Sequence, residues 1–359
     1  MSILEKIGLE LIWFDSMGAK SSSLAIKTSK GYVVVDPGAA AMQPSYPLSS
    51  SKKRELRRIA IKKIAEYVRL SGLIIITHYH YDHHFLPIDT DVNDPHIFNG
   101  KKLCIKNPNK YINESQWNRS RKFINEILKQ HNLSIESFES DPLETEFPDP
   151  VQDLEKAMSR DYGDYMRRRE EILFKGRKWF NKLVDLWSNG RWVNEIRLND
   201  NTEITWCDGR CIDYGDTELH VLNPWFHGIE YDRTGWVTPI IIKKKNFTIF
   251  YSSDLMGPII EDYADYIIKL DPDIIVLDGP PTYLFPYLFN RINLQRSIDN
   301  LIYIIQNITP DLIIYDHHLL REKKWRTRVK KVFEEAKKHD VLIITASEYF
   351  GNKPLIDTL

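Results

Sequence analysis

Residues 77–84 read THYHYDHH, placing four histidines and one aspartate directly after an apolar run at 73–76. His78 and His80 are two apart, and at the end of a strand that spacing sends both imidazoles to one side, toward a single cation. Asp82 and His83 follow in the turn and can reach a second cation nearby. A polar corner without metal is the competing explanation. It is the weaker one, because crowded imidazoles repel when protonated and are costly to bury unpaired. The tetrapeptide YDHH returns at 315–318, again after an apolar run, LIIYDHH.

Strands must carry these clusters, and the chain offers many. Residues 23–38 read as a hairpin turning at Ser29, Lys30 and Gly31. GLIIIT, KKLCIK, ELHVLNP, PIIIKKKNFTIFYSSD, DIIVLDGPP, DLIIYD and VLIITA follow, several of them short continuous apolar runs typical of strands buried on both faces. Helical periodicity marks 53–70, where Leu56, Ile59, Ala60, Ile64, Tyr67 and Val68 share a face, and also 292–305 and 326–339. With no Rossmann or phosphate-loop glycine pattern, the alternation predicts a layered α/β fold of another kind. Between 136 and 153 the chain is acidic and Pro-bearing, and 160–192 is basic, aromatic and helix-like. The expected organisation is a first half-domain at 1–119, a helical insertion or lid at 120–198 and a second half-domain at 199–359. Arg167, Arg168, Arg169, Lys175, Arg177 and Lys178, interleaved with Trp179, Phe180 and Trp187, suit a polyanion. They suit better an amphipathic hairpin with buried aromatics and solvated charges.

Composition narrows the class. The chain has 359 residues, 42% of them apolar and 28% charged, enough for a large core under a polar surface. A net charge of −1 gives no bulk attraction to nucleic acid or acidic membranes. Cys104, Cys207 and Cys211 form no disulfide framework, and Cys207-x3-Cys211 lacks the second pair of a structural zinc site. The N-terminus carries acidic residues inside its apolar stretch, unlike a signal peptide, and no segment is apolar over the length of a membrane span. A cytoplasmic protein with no membrane partner is expected. Abundant Lys, Glu, Ile and Tyr resemble thermophile usage.

His78-x-His80-x-Asp82-His83 resembles the His-x-His-x-Asp-His signature of the metallo-β-lactamase superfamily at all four positions. That resemblance implies a four-layer αββα sandwich with a dinuclear metal site at one edge of two sheets. Asp36 in VVVDPG, His227 in NPWFHG, Asp254 in FYSSDLMG and His317 in IYDHH stand where the superfamily has its remaining stations. It implies that His78, His80 and His227 hold one cation, that Asp82, His83 and His317 hold the other, and that Asp254 bridges them. His317 is preferred to its neighbour His318. His84, Asp316 and His318 would orient ligands or carry protons. The two YDHH clusters would then converge on one metal pair from the two halves of the sandwich, playing unlike parts in a fortuitous repeat. A narrower resemblance, through VDPGAA, INESQWNRSRKF, SSDLMGP, DGPPTYL, YDHHLLR and TASEYFG, is to an uncharacterised archaeal family of metallo-β-lactamase-like proteins. It covers about 12–121 and 208–351.

Two divalent cations held by imidazole and carboxylate lower the pKa of a bridging water toward neutrality, giving a hydroxide nucleophile. Hydrolysis of an ester or phosphodiester is the expected reaction, with zinc the expected metal and manganese or iron the alternatives. Asp82 and Asp254 would be catalytic as well as ligating, and Tyr283 in PPTYLF could donate to a developing oxyanion. Lys20, Ser21 and Ser22 could meet an anionic substrate, although ordinary turn roles fit them better. Three other readings are weaker. A nuclease would use the same site on RNA or DNA, a diiron oxidoreductase would have glutamate in place of His80, and a non-catalytic metal-bearing interaction protein would not need the full ligand set.

Overall fold

The computed structural model describes residues 2–359. Two mixed sheets of seven strands each organise them. The first contains β1 (Leu9–Phe14), β2 (Ser22–Thr28), β3 (Gly31–Val35), β4 (Ser71–Ile76), β5 (Lys102–Ile105), β6 (Ile196–Arg197) and β7 (Glu203–Trp206), in the order β1-β2-β3-β4-β5-β7-β6. The second contains β8 (Cys211–Tyr214), β9 (Thr217–Val221), β10 (Ile240–Lys244), β11 (Phe247–Tyr251), β12 (Ile274–Asp278), β13 (Leu312–Asp316) and β14 (Ile343–Ile344), in sequential order. Each sheet has a hairpin, β2–β3 or β10–β11, whose second strand begins a run of parallel neighbours.

Alternation along these strands shows why the sheets stack. Val33, Val35, Leu73 and Ile75 enter one hydrophobic cluster together with Ile240, Ile242, Ile249, Ile274, Val276, Leu312 and Ile314, which fills the space between the sheets. Their neighbours Val34, Ile74, Ile76, Ile241, Phe250, Ile275 and Ile313 enter the other cluster, beneath the helices. A strand whose every residue is buried reads as continuous apolar sequence, as these do. Helix α1 (Ser50–Leu70) buries Ala60, Ile61, Ile64, Ala65 and Val68. Helices α4 (Glu261–Leu270), α5 (Arg291–Asn307) and α6 (Lys330–Lys338) supply buried side chains to the same outer layer as Phe250, Ile275 and Ile313. The architecture is the αββα sandwich. Cys104 and Cys207 are free and buried between its sheets, as packing residues.

The expected hairpin at 23–38 is present, with Thr28 paired to Gly31 across the turn. The helix expected over 326–339 is broken instead. Val329 leaves helical geometry (φ −109°, ψ 20°) between Trp325–Arg328 and Lys330–Lys338.

The segment expected as an insertion is woven into the main body. Helix α2 (Glu114–Lys129) runs across the 119/120 boundary, and β6 closes the edge of the first sheet. On α3 (Met166–Asn189), Trp179, Phe180, Leu183 and Trp187 are buried in the outer core. Trp179 stacks on Trp236 with centroids 5.7 Å apart, and the Trp187 indole donates to the Ile112 carbonyl at 3.0 Å. The basic stripe is only partly free: Arg169 is buried against Glu230, and Arg177 meets Asp149 of the acidic stretch at 3.1 Å. No helix among the described residues is long and apolar enough to cross a membrane.

Candidate metal centre

The loops that leave β3, β4, β11, β12 and β13 meet at one end of the sandwich. Parallel order places the C-terminal ends of neighbouring strands side by side, where open α/β sheets bind ligands. Four non-glycine residues there, Asp36 (φ 49°), Ser253 (φ 51°), Met256 (φ 55°) and His317 (φ 59°), occupy the left-handed region. Such backbone is disfavoured for residues with a Cβ, and it persists where surrounding contacts over-determine it. Gly38 has a different reason to be glycine. A Cβ on it would lie 2.1 Å from the His84 nitrogen, so the loop after β3 could not approach the histidine loop otherwise.

Two donor groups share one carboxylate. His78, His80, His227 and Asp254 bring one ligand atom each to within 4.8 Å of one another, and Asp82, His83 and His317 do the same beside them. Asp254 Oδ2 lies 3.5 Å from His78 Nε2 and 3.4 Å from His227 Nε2. Its Oδ1 lies 2.8 Å from His83 Nε2 and 3.1 Å from His317 Nε2. Each Asp254 oxygen therefore faces one group.

Behind the donors stands a ring of carboxylates. Asp36 accepts from His83 Nδ1 at 2.9 Å, from both donors of Thr77 at 2.8 and 2.7 Å, and from the Tyr251 hydroxyl at 2.7 Å. Asp15 lies 2.8 Å from His317 Nδ1, and Asp278 lies 2.9 Å from His318 Nδ1. These contacts turn the Nε2 atoms of His83 and His317 toward Asp254, the orientation that carboxylate-backed histidine ligands require.

The spare residues divide. His318 joins Asp254 and His317 within ligand distance, so both members of the second histidine pair face the centre, while His317 alone also groups with Asp82 and His83. His84 turns away: its Nδ1 lies 3.0 Å from the His80 carbonyl and its ring packs edge-on against Phe123. Burial pushes its pKa down to about 3, as suits a neutral packing residue. Asp316 accepts from the backbone of Ser16, His317 and Ala346 and so fixes the loop. Ser21 is structural, donating through its hydroxyl to the Gly38 carbonyl at 2.6 Å and through its N–H to Asp15 at 2.8 Å. Ser22 is buried within β2. Tyr283 accepts from Arg321 at 3.4 Å, and Arg321 lies 3.3 Å from Asp82. Sequence reasoning passed over Asp15, Asp278 and Arg321. The first two carried a readable signal, because each follows an apolar strand run (LIWFD, IIVLD) as Asp36 does.

Whether the donor set suits metal can be judged from unpaired atoms. Both ring nitrogens of His227 are buried without a hydrogen-bond partner, and the buried Asp254 oxygens meet nothing but the ring nitrogens of the same cluster. Native interiors rarely leave such atoms unsatisfied, and the Asp254 oxygens and His227 Nε2 converge with neutral-capable imidazoles on two points. The nitrogen and oxygen donors fit a pair of divalent cations such as zinc, manganese or iron.

Electrostatics agrees. Burial opposes a charge on His83, but the Asp254 and Asp36 carboxylates prevail and hold its pKa up at about 10. His317 is likewise lifted above the usual range by Asp254 and Asp15 against burial. Burial, reinforced by His83, pushes His78 down to about 4. In the metal-free protein near pH 7, His78 is thus ready to ligate while His83 and His317 carry protons that a cation must displace. Loading two ions is expected to release about two protons per chain, and affinity should rise with pH. Titration calorimetry in two buffers of different ionisation enthalpy measures that number; no proton release would contradict the electrostatic picture. Replacing Asp36 with Ala removes the orienting partner of His83, and affinity for metal is expected to fall ~10–100-fold. A competitive chelator titration reads this directly.

No family model matches the chain. It is 29% identical over 352 residues to the UPF0282 protein of Methanocaldococcus jannaschii, spanning 95% of this chain and 91% of that one. Identity to the UPF0282 protein of Korarchaeum cryptofilum is 26% over 342 residues, spanning 95% and 88%. Among solved structures, the metallo-beta-lactamase fold protein YhfI from Bacillus subtilis aligns with a TM-score of 0.43 at 11% identity, over 94% of this chain and 95% of that one. CmlA, a diiron beta-hydroxylase from Streptomyces venezuelae, aligns with a TM-score of 0.43 at 10% identity, over 94% of this chain but only 52% of its own, so this chain spans about half its length. Along nearly its whole length, then, the chain is similar to the archaeal UPF0282 proteins, and it is folded as an αββα sandwich.

Proposed function

We propose that this protein is a metal-dependent hydrolase acting on an ester or phosphodiester. The observation that carries the reading is Asp254, a buried carboxylate with one oxygen turned to each of two donor groups. Two divalent cations bound there would supply Lewis-acid polarisation of the substrate oxygen and activation of water at neutral pH.

The chain's own residues supply the rest. His78, His80 and His227 would hold one ion and Asp82, His83 and His317 the other, with Asp254 common to both. Asp82 reaches solvent, its side chain 14% exposed, and His80 is likewise only partly buried. Burial would raise its pKa, but the charges of His83, Arg321 and His317 outweigh burial and hold it well below the carboxylate range. It is therefore a poor base, suited to orienting an attacking water by accepting a hydrogen bond. Tyr283, on the far side of Arg321, would donate through its hydroxyl to the developing oxyanion.

The substrate is proposed to be small. Trp179, Phe180 and Trp187 are 5%, 3% and 0% exposed, so they offer no face for stacking on bases. The test is hydrolysis of bis(p-nitrophenyl) phosphate and p-nitrophenyl acetate by protein reconstituted in turn with zinc, manganese and iron. Turnover that disappears with chelation and with Asp82→Ala or His80→Ala, in variants that remain folded, is expected. Activity retained in His80→Ala would sink the ligand assignment; no turnover of either ester with any metal would leave the interaction-protein reading in front.

A further inference from the structure

Beside the second donor group stand two cationic side chains that are not metal donors. Arg321 is buried at 4% exposure at the end of the turn that begins with His317. Asp15 receives its Nε at 2.6 Å, and that same carboxylate orients His317 through its other oxygen. The two terminal nitrogens of the guanidinium point elsewhere. Nη1 reaches the Tyr283 hydroxyl at 3.4 Å, and Nη2 lies 3.3 Å from Asp82 Oδ2 and 3.4 Å from His317 Nε2. Those last two atoms belong to the donor group, so Nη2 borders the place where a substrate oxygen would meet the metal centre.

Lys20 is the second cation. Its backbone bridges to Ala40, which anchors the residue between the first loop and the loop after β3. Among the described residues its ammonium enters no ion pair, although it is partly buried. The next residue, Ser21, donates its N–H to Asp15 at 2.8 Å and holds its carbonyl 3.1 Å from His317 Nδ1, which sets Lys20 at the edge of the second donor group. Burial and the Arg321 charge lower the Lys20 pKa, with Asp82 and Asp15 acting the other way. Asp82 is committed to a cation when the centre is loaded. Asp15 then faces two positive side chains alone, and partly buried like charges without a counter-ion are unfavourable.

We propose that Arg321 and Lys20, with the Tyr283 hydroxyl, form a subsite for an oxyanionic group of the substrate, phosphoryl or carboxylate, next to the bond being cleaved. The inference rests on the reading of the centre as a metal-dependent hydrolase, and it makes a neutral ester the disfavoured substrate. A guanidinium whose terminal nitrogens make only long contacts, at 3.3–3.4 Å, keeps donors for the oxygens of such a group. The Lys20 ammonium, with three rotatable donors, is a point charge and sets no geometry, so Arg321 would fix orientation and Lys20 would add attraction.

The experiment measures binding rather than turnover. Inorganic phosphate and acetate are titrated calorimetrically into metal-loaded wild type, Arg321→Met and Lys20→Met, with metal content and thermal melting recorded on the same samples. Phosphate affinity at least ~10-fold weaker in both variants, at unchanged metal content, is expected for a phosphoryl subsite. The same loss for acetate instead assigns the site to carboxylates. Arg321→Met leaves Asp15 without a partner and can unfold the chain; Lys20→Met removes no ion pair and carries the test alone in that case. Equal affinity for both anions in wild type and Lys20→Met would overturn the proposal. Because the readout is binding, a protein that hydrolyses nothing in the ester panel can still show the subsite, and the two readings fail separately.

Discussion

Replacing Asp254 with Ala is expected to empty both metal positions at once and to abolish hydrolysis, by ~10³-fold or more given the several kcal/mol that metal-ion catalysis supplies. No other donor has that reach. The variant lacks the oxygen 3.4 Å from His227 and also the one 2.8 Å from His83. Losing His80 removes a donor from one group only. Folding should survive, because Asp254 meets only imidazoles of the centre, and these can shed their protons when the carboxylate is gone. Elemental analysis and a thermal melt of the same preparation decide the matter. A folded variant with well below one ion per chain is the expected pair of readings; two ions retained would show that the groups load independently and that Asp254 does not link them.

The largest stability effect is expected at Arg296, far from the donors. Its guanidinium lies on α5 and meets Glu230 at 2.8 and 3.2 Å and Glu261 at 2.7 and 3.0 Å. Arg169 of α3 joins Glu230 at 2.9 Å, and Arg160 joins Glu261 at 2.7 Å. Arg296, Arg169, Glu230 and Glu261 are all buried. Breaking a buried ion cluster by deleting one member costs more than never having built it, since the remaining charges stay out of water unpaired. Arg296→Met should therefore destabilise the fold by ~3–5 kcal/mol, toward the lower figure because Arg169 and Arg160 remain. Denaturant unfolding of the metal-free protein measures it, and a loss below ~1 kcal/mol would mean that water reaches the cluster. Glu230 follows His227 by three residues, so the same variant should loosen the loop that presents His227 and weaken metal binding as a secondary effect.

The cluster also explains why the segment at 120–198 does not stand apart as a lid. Its basic and acidic runs suggested a separate piece because each is strongly biased along the sequence. In space Arg160 and Arg169 pair with carboxylates of the second half-domain, and Trp179 and Trp187 fill the outer core beside Trp236. Neither partner can be read from local composition.

Topology likewise settles the repeated tetrapeptide. Counting outward from the hairpin in each sheet, His78 follows β4, the first strand beyond the hairpin, whereas His317 follows β13, the second beyond its own. The strand equivalent to β4 is β12, which ends in Asp278. The two YDHH clusters therefore occupy unequal positions.

What local spacing could carry, it carried. Buried strands announce themselves by continuous β-branched runs, and side chains two apart at a strand end share a direction whatever the rest of the chain does. His78 and His80 were brought together by that rule, with Asp82 and His83 read from the turn that follows. The aspartates behind the histidines, the sharing of Asp254 between two groups and the placing of Arg321 and Lys20 beside them depend instead on contacts between residues remote in sequence. His317 and Asp15 are 302 residues apart, and Tyr251 and Asp36 are 215 apart. A sequence states which side chains exist, but the loops that bring them together are positioned by strand order and sheet stacking. Those follow from burial summed over the whole core, and for that reason only the folded chain decides which carboxylate meets which imidazole.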